Sequence, residues 1–173
     1  MAKLRHIISS LFIGLLISTS YADEIEPLPA LELPDIQGKI HNLDAWQGKV
    51  ILLNFWASWC TPCQTEIKDF VRYQTQYAER NLQIVSVGID KADKLDNVRR
   101  SLGINYPILV SQPEQNIMPT WGNPNGVLPY TVVINPQRQI TYTRAGLFNE
   151  DLFQQFVLPL LSSPSPNLPE QAR

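Results

Sequence analysis

The hydrophobic pattern of the chain alternates between short apolar runs and a longer stretch with helical spacing. The segment Val50–Trp56 is apolar at nearly every position, which is typical of a strand covered on both faces within an α/β sheet. Residues 82–88 predict a second buried strand. Between the two strands, residues 60–80 place apolar side chains three and four positions apart, at 63, 67, 70, 71, 73 and 77. The pattern therefore predicts a strand–helix–strand unit with its central strand at 50–56.

The flanking segments predict smaller elements. A hairpin with a glycine-containing turn is predicted at 31–41 and a short helical turn at 44–47. Further along, the pattern predicts a charged helix at 92–102, a short strand at 106–110, an irregular stretch at 111–129 with one helical turn near 117–121, antiparallel strands at 130–134 and 139–143, and a final helix at 149–161. This order predicts a mixed sheet with helices on both faces.

The two ends of the chain differ from this pattern. Residues 1–22 combine a basic start at Lys3, Arg5 and His6 with an apolar run and a small-x-small cleavage site, as secretory signal peptides do. The apolar run is shorter than the ~20 residues of a membrane-spanning helix, which favours cleavage after Ala22 over an uncleaved anchor. We therefore predict a signal peptide at 1–22, one domain at 23–161 and a flexible tail at 162–173.

The charge of the chain argues against a nucleic-acid partner. The whole sequence carries 14 basic and 16 acidic residues, a net charge of −2. Removal of the signal removes Lys3 and Arg5 and no acid, so the net charge becomes −4. Proteins that bind nucleic acid usually carry a basic patch. An apolar fraction of 44% fits a single globular domain instead.

The two cysteines of the chain, Cys60 and Cys63, lie where the predicted central strand gives way to the helix. Two thiols on a first helical turn can close a disulfide with little backbone movement, and a helix N-terminus lowers the pKa of the first thiol. A structural disulfide is the alternative, but such a short loop removes little entropy from the unfolded chain. We therefore interpret the pair as a dithiol/disulfide switch.

A metal site is a second alternative for the two thiolates. Outside the predicted signal, the sequence has one histidine, His41, and one methionine, Met118, so a zinc site with four ligands lacks partners. We predict that His41 is a surface strand residue. Copper(I) is chemically compatible with two thiolates alone. We predict no metal and no cofactor, and keep copper(I) binding as the rival function.

Two segments together resemble thioredoxin-fold proteins of the TlpA/ResA/DsbE type. They are Asn-Phe-Trp-Ala-Ser-Trp-Cys-Thr-Pro-Cys-Gln-Thr-Glu at 54–66 and Gly-Val-Leu-Pro-Tyr-Thr-Val-Val-Ile at 126–134. The likeness extends over residues 28–161. It implies an α/β thioredoxin fold, in which helices flank a mixed central sheet and an N-terminal β-hairpin is added.

The resemblance implies roles for the residues of the first motif. Cys60, at an exposed helix start beside Trp59, is interpreted as the attacking thiol, and Cys63, on the apolar stripe, as the resolving thiol. Glu66 lies three positions after Cys63 on the same side of the helix. Partial burial there raises the pKa of a carboxyl group and allows it to exchange a proton with the Cys63 sulfur. A solvated helix acid is the alternative for Glu66.

The remaining site residues come from the central strand and the second motif. Asn54 occupies the position of a buried aspartate in thioredoxin, which leaves Glu66 as the candidate for proton exchange. Pro129 corresponds to the cis-proline of the fold, which packs against the disulfide and turns the Leu128 backbone toward an extended substrate strand. Trp56 is predicted to pack in the core. The predicted substrate contacts are Trp59, Thr61, Pro62, Leu128 and Pro129.

The resemblance implies an exported, periplasmic thiol–disulfide oxidoreductase. Thr61 and Pro62 add no cation that stabilises a Cys60 thiolate, which favours a reductant over a strong oxidant. The expected partners are oxidised proteins, such as an apocytochrome c or a copper-site assembly factor, with a membrane thiol reductase as electron donor, and we expect a monomer. The rivals are a copper(I)-delivery protein and a peroxidase, although the apolar strand before Cys60 lacks the Pro and Thr motif of peroxidases.

Overall fold

The computed structural model describes residues 27–161. In this range the strands are β1 (Glu32–Pro34), β2 (Ile40–Asn42), β3 (Val50–Trp56), β4 (Leu82–Ile89), β5 (Ile108–Ser111), β6 (Tyr130–Ile134) and β7 (Ile140–Ala145). The α-helices are α1 (Thr61–Tyr77), α2 (Ala92–Leu102) and α3 (Glu150–Phe156). Short 3-10 turns lie at 43–46, 78–80, 113–115, 118–121 and 158–160. The elements follow the predicted order.

The main sheet has the strand order β5-β4-β3-β6-β7, with β3 at its centre. Strands β3, β4 and β5 run parallel, whereas β6 is antiparallel to β3 and β7 to β6. Strands β1 and β2 form a separate antiparallel hairpin. All seven residues of β3 are buried, because it has a neighbour on each side and a covered surface on each face. These features confirm the predicted central strand, mixed sheet and N-terminal hairpin.

Two apolar clusters cover the two faces of the sheet. The first joins Val50 and Leu52 of β3 to all three α-helices. The second joins the intervening β3 residues to the β1–β2 hairpin and to the 3-10 turns at 43–46 and 118–121. Within residues 27–161, the helices on the second face are thus 3-10 turns only. The connections β3–α1–β4 and β4–α2–β5 move in one direction across the sheet. Because such crossovers are almost always right-handed, α1 and α2 lie on the same face, where both join the first cluster.

Prolines account for two differences between the predicted and observed element ends. The strand predicted at 106–110 is β5 at Ile108–Ser111, because Pro107 has no N–H to donate to a sheet. The helix predicted at 149–161 is α3, which ends at Phe156 and is followed by a 3-10 turn at 158–160. Pro159 lacks the N–H that would continue an α-helix there. The buried positions of β3, β4 and α1 agree with the apolar pattern, whereas Ile40 of β2 and Ile140 of β7 are exposed.

His41 is less exposed than predicted for a surface strand residue. Its Nε2 atom lies 2.7 Å from Asp35 Oδ2, and its ring stacks on Trp46 with the ring centroids 5.9 Å apart. Backbone N–H groups of Gln37 and Lys39 also donate to Asp35. His41 is therefore a partly exposed residue of β2 whose side chain also closes the β1–β2 hairpin.

The predicted signal peptide at 1–22 and the predicted tail at 162–173 lie outside the described residues. Among the helices of residues 27–161, none combines the length and hydropathy needed to cross a bilayer.

Candidate active site

A disulfide joins Cys60 and Cys63 at the N-terminus of α1, with the sulfurs 2.07 Å apart. Cys60 is the N-cap residue, and its Sγ accepts the backbone N–H of Cys63 at 3.3 Å. Pro62 lies in the first turn, where a helix needs no N–H donor. The helix therefore begins at the sulfur pair, as the sequence predicted.

The two cysteines differ in exposure. Cys60 is 5% exposed and Cys63 is fully buried. Cys60 is more buried than its place at a helix start suggested, because it belongs to the same apolar cluster as Trp56 and Ala57. It is still the more accessible cysteine of the pair.

The turn before the helix carries an exposed aromatic side chain. Trp59 is 72% exposed, whereas Trp56 is fully buried in the core as predicted. Thr61 and Pro62 are also exposed. The residues immediately before and after Cys60 in the sequence are therefore exposed.

A hydrogen-bond network that the sequence analysis missed holds this turn. The Ser58 hydroxyl donates to Asp90, and Gln64 Nε2 donates to the Ser58 carbonyl at 2.7 Å. Asp90 directly follows β4, next to the end of β3. Polar residues at the carboxyl ends of adjacent parallel strands often form ligand-binding or catalytic sites. The position of Asp90 after β4 was therefore the sequence feature that could have indicated this network.

Glu66 is buried on the inner side of α1. Its side chain is 2% exposed, so the alternative of a solvated helix acid does not hold. Asn54 Nδ2 donates to Oε1 at 2.7 Å, and the backbone N–H of Phe148 donates to Oε2 at 2.9 Å. Burial raises the pKa of Glu66 to about 7, against the lowering effect of both hydrogen bonds. The group thus changes its protonation state near neutral pH.

Asn54 connects β3 to two other elements. Besides Glu66 on α1, its Nδ2 contacts Thr131 Oγ1 on β6 at 3.1 Å. Asn54 and Thr131 are fully buried. The sequence analysis identified Asn54 and Glu66 but not Thr131 or Phe148. Thr131 could have been found, because it is the polar position of an otherwise apolar strand. Phe148 could not, because it contributes a backbone N–H, which every residue except proline has.

The Leu128–Pro129 peptide is cis, which confirms the prediction for this bond. Pro129 is buried, and Leu128 is partly exposed. The Pro129 carbonyl accepts the Gly146 N–H at 2.8 Å. Among the described residues, none forms a backbone hydrogen bond with Leu128. Its N–H and C=O groups are therefore unpaired within the described part of the backbone.

A shallow groove of about 210 Å³ lies beside Trp59 and Leu128. Its lining includes the apolar residues Ile89, Ile117 and Met118 and the polar residues Ser111, Gln112 and Asn116. The structure therefore brings two of the predicted substrate contacts to one groove. Thr61, Pro62 and Pro129 are not part of its lining.

The described residues contain no cluster of three or more His, Cys, Asp or Glu side chains arranged to hold a metal ion. His41, which lies in the hairpin, is bound to Asp35. The candidate site comprises the disulfide, the buried cluster of Glu66, Asn54 and Thr131, and the groove.

Comparisons with known proteins agree with this geometry. The profile of the AhpC/TSA family matches residues 25–143. The chain is 27% identical over 130 residues to thiol-disulfide oxidoreductase ResA of Bacillus subtilis (strain 168), covering 75% of this chain and 71% of that one. It is 25% identical over 128 residues to ResA of Geobacillus thermodenitrificans (strain NG80-2), covering 73% and 72%.

Solved structures give the same fold. The crystal structure of a thiol:disulfide interchange protein, a thioredoxin family protein from Chlorobium tepidum TLS, has a TM-score of 0.68 and 26% identity, and covers 78% of this chain and 94% of that chain. The structure of a secreted thiol-disulfide isomerase from Corynebacterium glutamicum, at 22% identity and a TM-score of 0.67, supports the fold. The chain therefore belongs to the AhpC/TSA family, as a thiol–disulfide oxidoreductase of thioredoxin-like fold that carries the Cys60–Cys63 pair.

Proposed function

We propose that the protein is exported to the periplasm and reduces disulfides of client proteins there. The observation that supports this function best is the unequal exposure of the two cysteines. In the reduced protein, the Cys60 thiolate attacks a client disulfide, forms a mixed disulfide and releases one client thiolate. Cys63 then attacks the Cys60 sulfur and releases the second client thiolate. Two electrons pass to the client, and Cys60–Cys63 becomes the disulfide.

Glu66 supplies the proton acceptor for the second step in this proposal. Cys63 must lose its proton before it attacks, and it is buried away from water. Glu66 lies three residues later on the same side of α1. Because its pKa is about 7, its carboxylate is present near neutral pH and can accept that proton.

The groove and Leu128 form the client-docking surface in this proposal. An extended client segment can pair with the free backbone groups of Leu128 and place an apolar side chain against Trp59 and Met118. Suitable clients carry an exposed disulfide, as an oxidised apocytochrome c or a copper-site assembly factor does. A membrane thiol reductase returns the electrons, and the protein acts as a monomer.

The charges near the disulfide support a reductant. Residues 58–64 contain no basic side chain, and Ser58 holds the Asp90 carboxylate beside this turn. A nearby carboxylate disfavours the Cys60 thiolate, and a less stable reduced form lowers the reduction potential. We expect a potential near the roughly −270 mV of thioredoxin; a value near the roughly −120 mV of the oxidant DsbA would contradict the proposed direction.

Cysteine variants test the two roles. Cys60→Ser should abolish insulin reduction, whereas Cys63→Ala should accumulate mixed disulfides with periplasmic proteins, which mass spectrometry of non-reduced samples detects. Cys60→Ala/Cys63→Ala is the control and should trap nothing. Adducts with Cys60→Ala but not with Cys63→Ala would reverse the roles. Tight copper(I) binding without insulin reduction would favour the metal-delivery rival.

A further inference from the structure

The buried Glu66 carboxyl group is held by two groups that can only donate. Asn54 Nδ2 donates to Oε1 at 2.7 Å, and the Phe148 N–H donates to Oε2 at 2.9 Å. This arrangement suits the carboxylate, whose oxygens accept. A protonated carboxyl group carries an O–H, which needs an acceptor in a buried site. The hydrogen bonds of the structure thus match one protonation state only.

An unused acceptor lies in the same cluster. Asn54 Oδ1 is buried and has no partner among the described residues. It is bonded to the same carbon as Nδ2, so a half-turn of the amide about its last side-chain bond exchanges the two atoms. Thr131 Oγ1 accommodates both orientations, because a hydroxyl group accepts from Nδ2, here at 3.1 Å, and also donates to Oδ1. The longer contact of 3.5 Å from Nδ2 to the Tyr130 carbonyl is lost in the reversed orientation, because a carbonyl only accepts.

We propose that the Asn54 side-chain amide reverses when Glu66 gains a proton. Asn54 is then a positioning residue: Nδ2 donates to the carboxylate, and Oδ1 accepts the O–H of the acid. Glu66 then changes charge with its O–H satisfied and without movement of α1 or β3, and Nδ2 takes the place of Oδ1 as the amide atom without a partner. The use of this proton by Cys63 rests on the proposed function, whereas the reversal itself does not.

The other titratable groups around Glu66 form no hydrogen bond with it among the described residues. On α1 and its N-cap these groups are Cys60 and Cys63, which form the disulfide, and Asp69, which accepts from Arg72. Tyr106, which precedes β5, interacts with the Glu66 charge but forms no hydrogen bond with it. The cluster residues of β3 and β6, Asn54 and Thr131, do not titrate, and the segment after β7 contributes the Phe148 N–H.

NMR spectroscopy of the oxidised protein tests the reversal without any client. The Glu66 side-chain ¹³C shift reports its protonation, and NOEs from the Asn54 amide protons report which atoms face Thr131. We expect the Asn54 NOE pattern to change between about pH 5 and about pH 9, with the same midpoint as Glu66. An unchanged pattern while Glu66 titrates would overturn the proposal.

Two variants make the test specific. In Glu66→Gln, the neutral amide fixes one Asn54 orientation, so the NOE pattern should not change with pH. In Asn54→Asp, the donor is lost and a second acid is added, so the midpoint of Glu66 should rise by at least one pH unit, about a tenfold change in proton affinity. A midpoint that stays the same in Asn54→Asp would contradict the positioning role.

These outcomes separate the two proposals. If the amide reverses but the protein fails to reduce insulin, the proposed function is wrong and the reversal stands. If insulin is reduced while the Asn54 amide keeps one orientation, the reversal is wrong and the proposed function stands. Circular dichroism of Asn54→Asp checks its fold, and Glu66→Gln provides the test if that variant does not fold.

Discussion

At the residue scale, Glu66 makes the stability of the fold depend on pH. Its pKa is about 7 in the folded protein, above the 4.5 of an ordinary glutamate, because burial disfavours the charged form. The folded state therefore holds a proton that the unfolded state has released between these two values. The contribution of Glu66 to the free energy of unfolding is therefore greatest below about pH 4.5 and is lost as the pH rises to about 7.

The variant Glu66→Gln should remove this dependence. A shift from 4.5 to about 7 corresponds to a loss of about 3 kcal/mol of stability for the wild type across that window, relative to the variant. Urea unfolding at a series of pH values measures the difference. The exposed Glu79 provides a control, since Glu79→Gln should follow the wild-type curve. Parallel curves for the wild type and Glu66→Gln would show that Glu66 is solvated.

The sequence predicted some contacts of this residue better than others. Helical spacing alone put Glu66 on the same side as Cys63, since residues three apart share a face. It did not predict the Phe148 N–H, because that donor lies 82 positions away and reaches Glu66 only through the path of the chain after β7. The Ser58–Asp90 contact also joins residues from different strand ends. Local contacts follow from periodicity, whereas contacts between loops follow from tertiary structure.

At the element scale, the contact between β4 and α2 depends on a glycine. A Cβ atom added to Gly88 would lie 2.5 Å from the Leu95 side chain, which is fully buried. The missing side chain therefore lets α2 lie close to the sheet next to the active-site end of β4. The sequence predicted both elements but not this contact, because a glycine inside a strand does not show which residue approaches it.

A double-mutant cycle tests the contact. Gly88→Ala should lower the free energy of unfolding by about 1–3 kcal/mol through overpacking, and Leu95→Ala by about 2–5 kcal/mol through the cavity it creates. The double variant should lose less than the sum, because the alanine methyl at 88 occupies part of the Leu95 volume. Denaturant unfolding of the four proteins measures this. Strict additivity would mean that the two side chains do not compete for space.

At the scale of the whole molecule, the prediction concerns the mature chain. If residues 1–22 are a cleaved signal, the protein recovered from a periplasmic fraction should begin at Asp23 and carry a net charge of −4 instead of −2, because Lys3 and Arg5 are lost. Intact-mass measurement checks the N-terminus, and the same chain expressed from residue 23 is the control for its location. Recovery of the full-length chain from membranes would indicate an uncleaved anchor.

The sequence predicted the order of the elements along the chain and the central strand of a mixed sheet, but not which elements cover each face of that sheet. A run of apolar residues identifies Val50–Trp56 as the strand covered on both faces. The pattern does not reveal what covers each face, because an apolar side chain packs equally well against a helix or a hairpin. The β1–β2 hairpin therefore occupies a surface where helices were also predicted.

The exposure of Trp59 makes its fluorescence an intrinsic probe of the active site. Trp59 is 72% exposed, whereas Trp46, Trp56 and Trp121 are 9%, 0% and 1% exposed, so a water-borne quencher such as acrylamide reaches one indole of the four. This indole is adjacent to Cys60 and lines the groove. Under the proposed function, opening of the disulfide and arrival of a client both alter its surroundings. Tryptophan fluorescence can therefore follow each half of the reaction cycle in real time, in unlabelled protein.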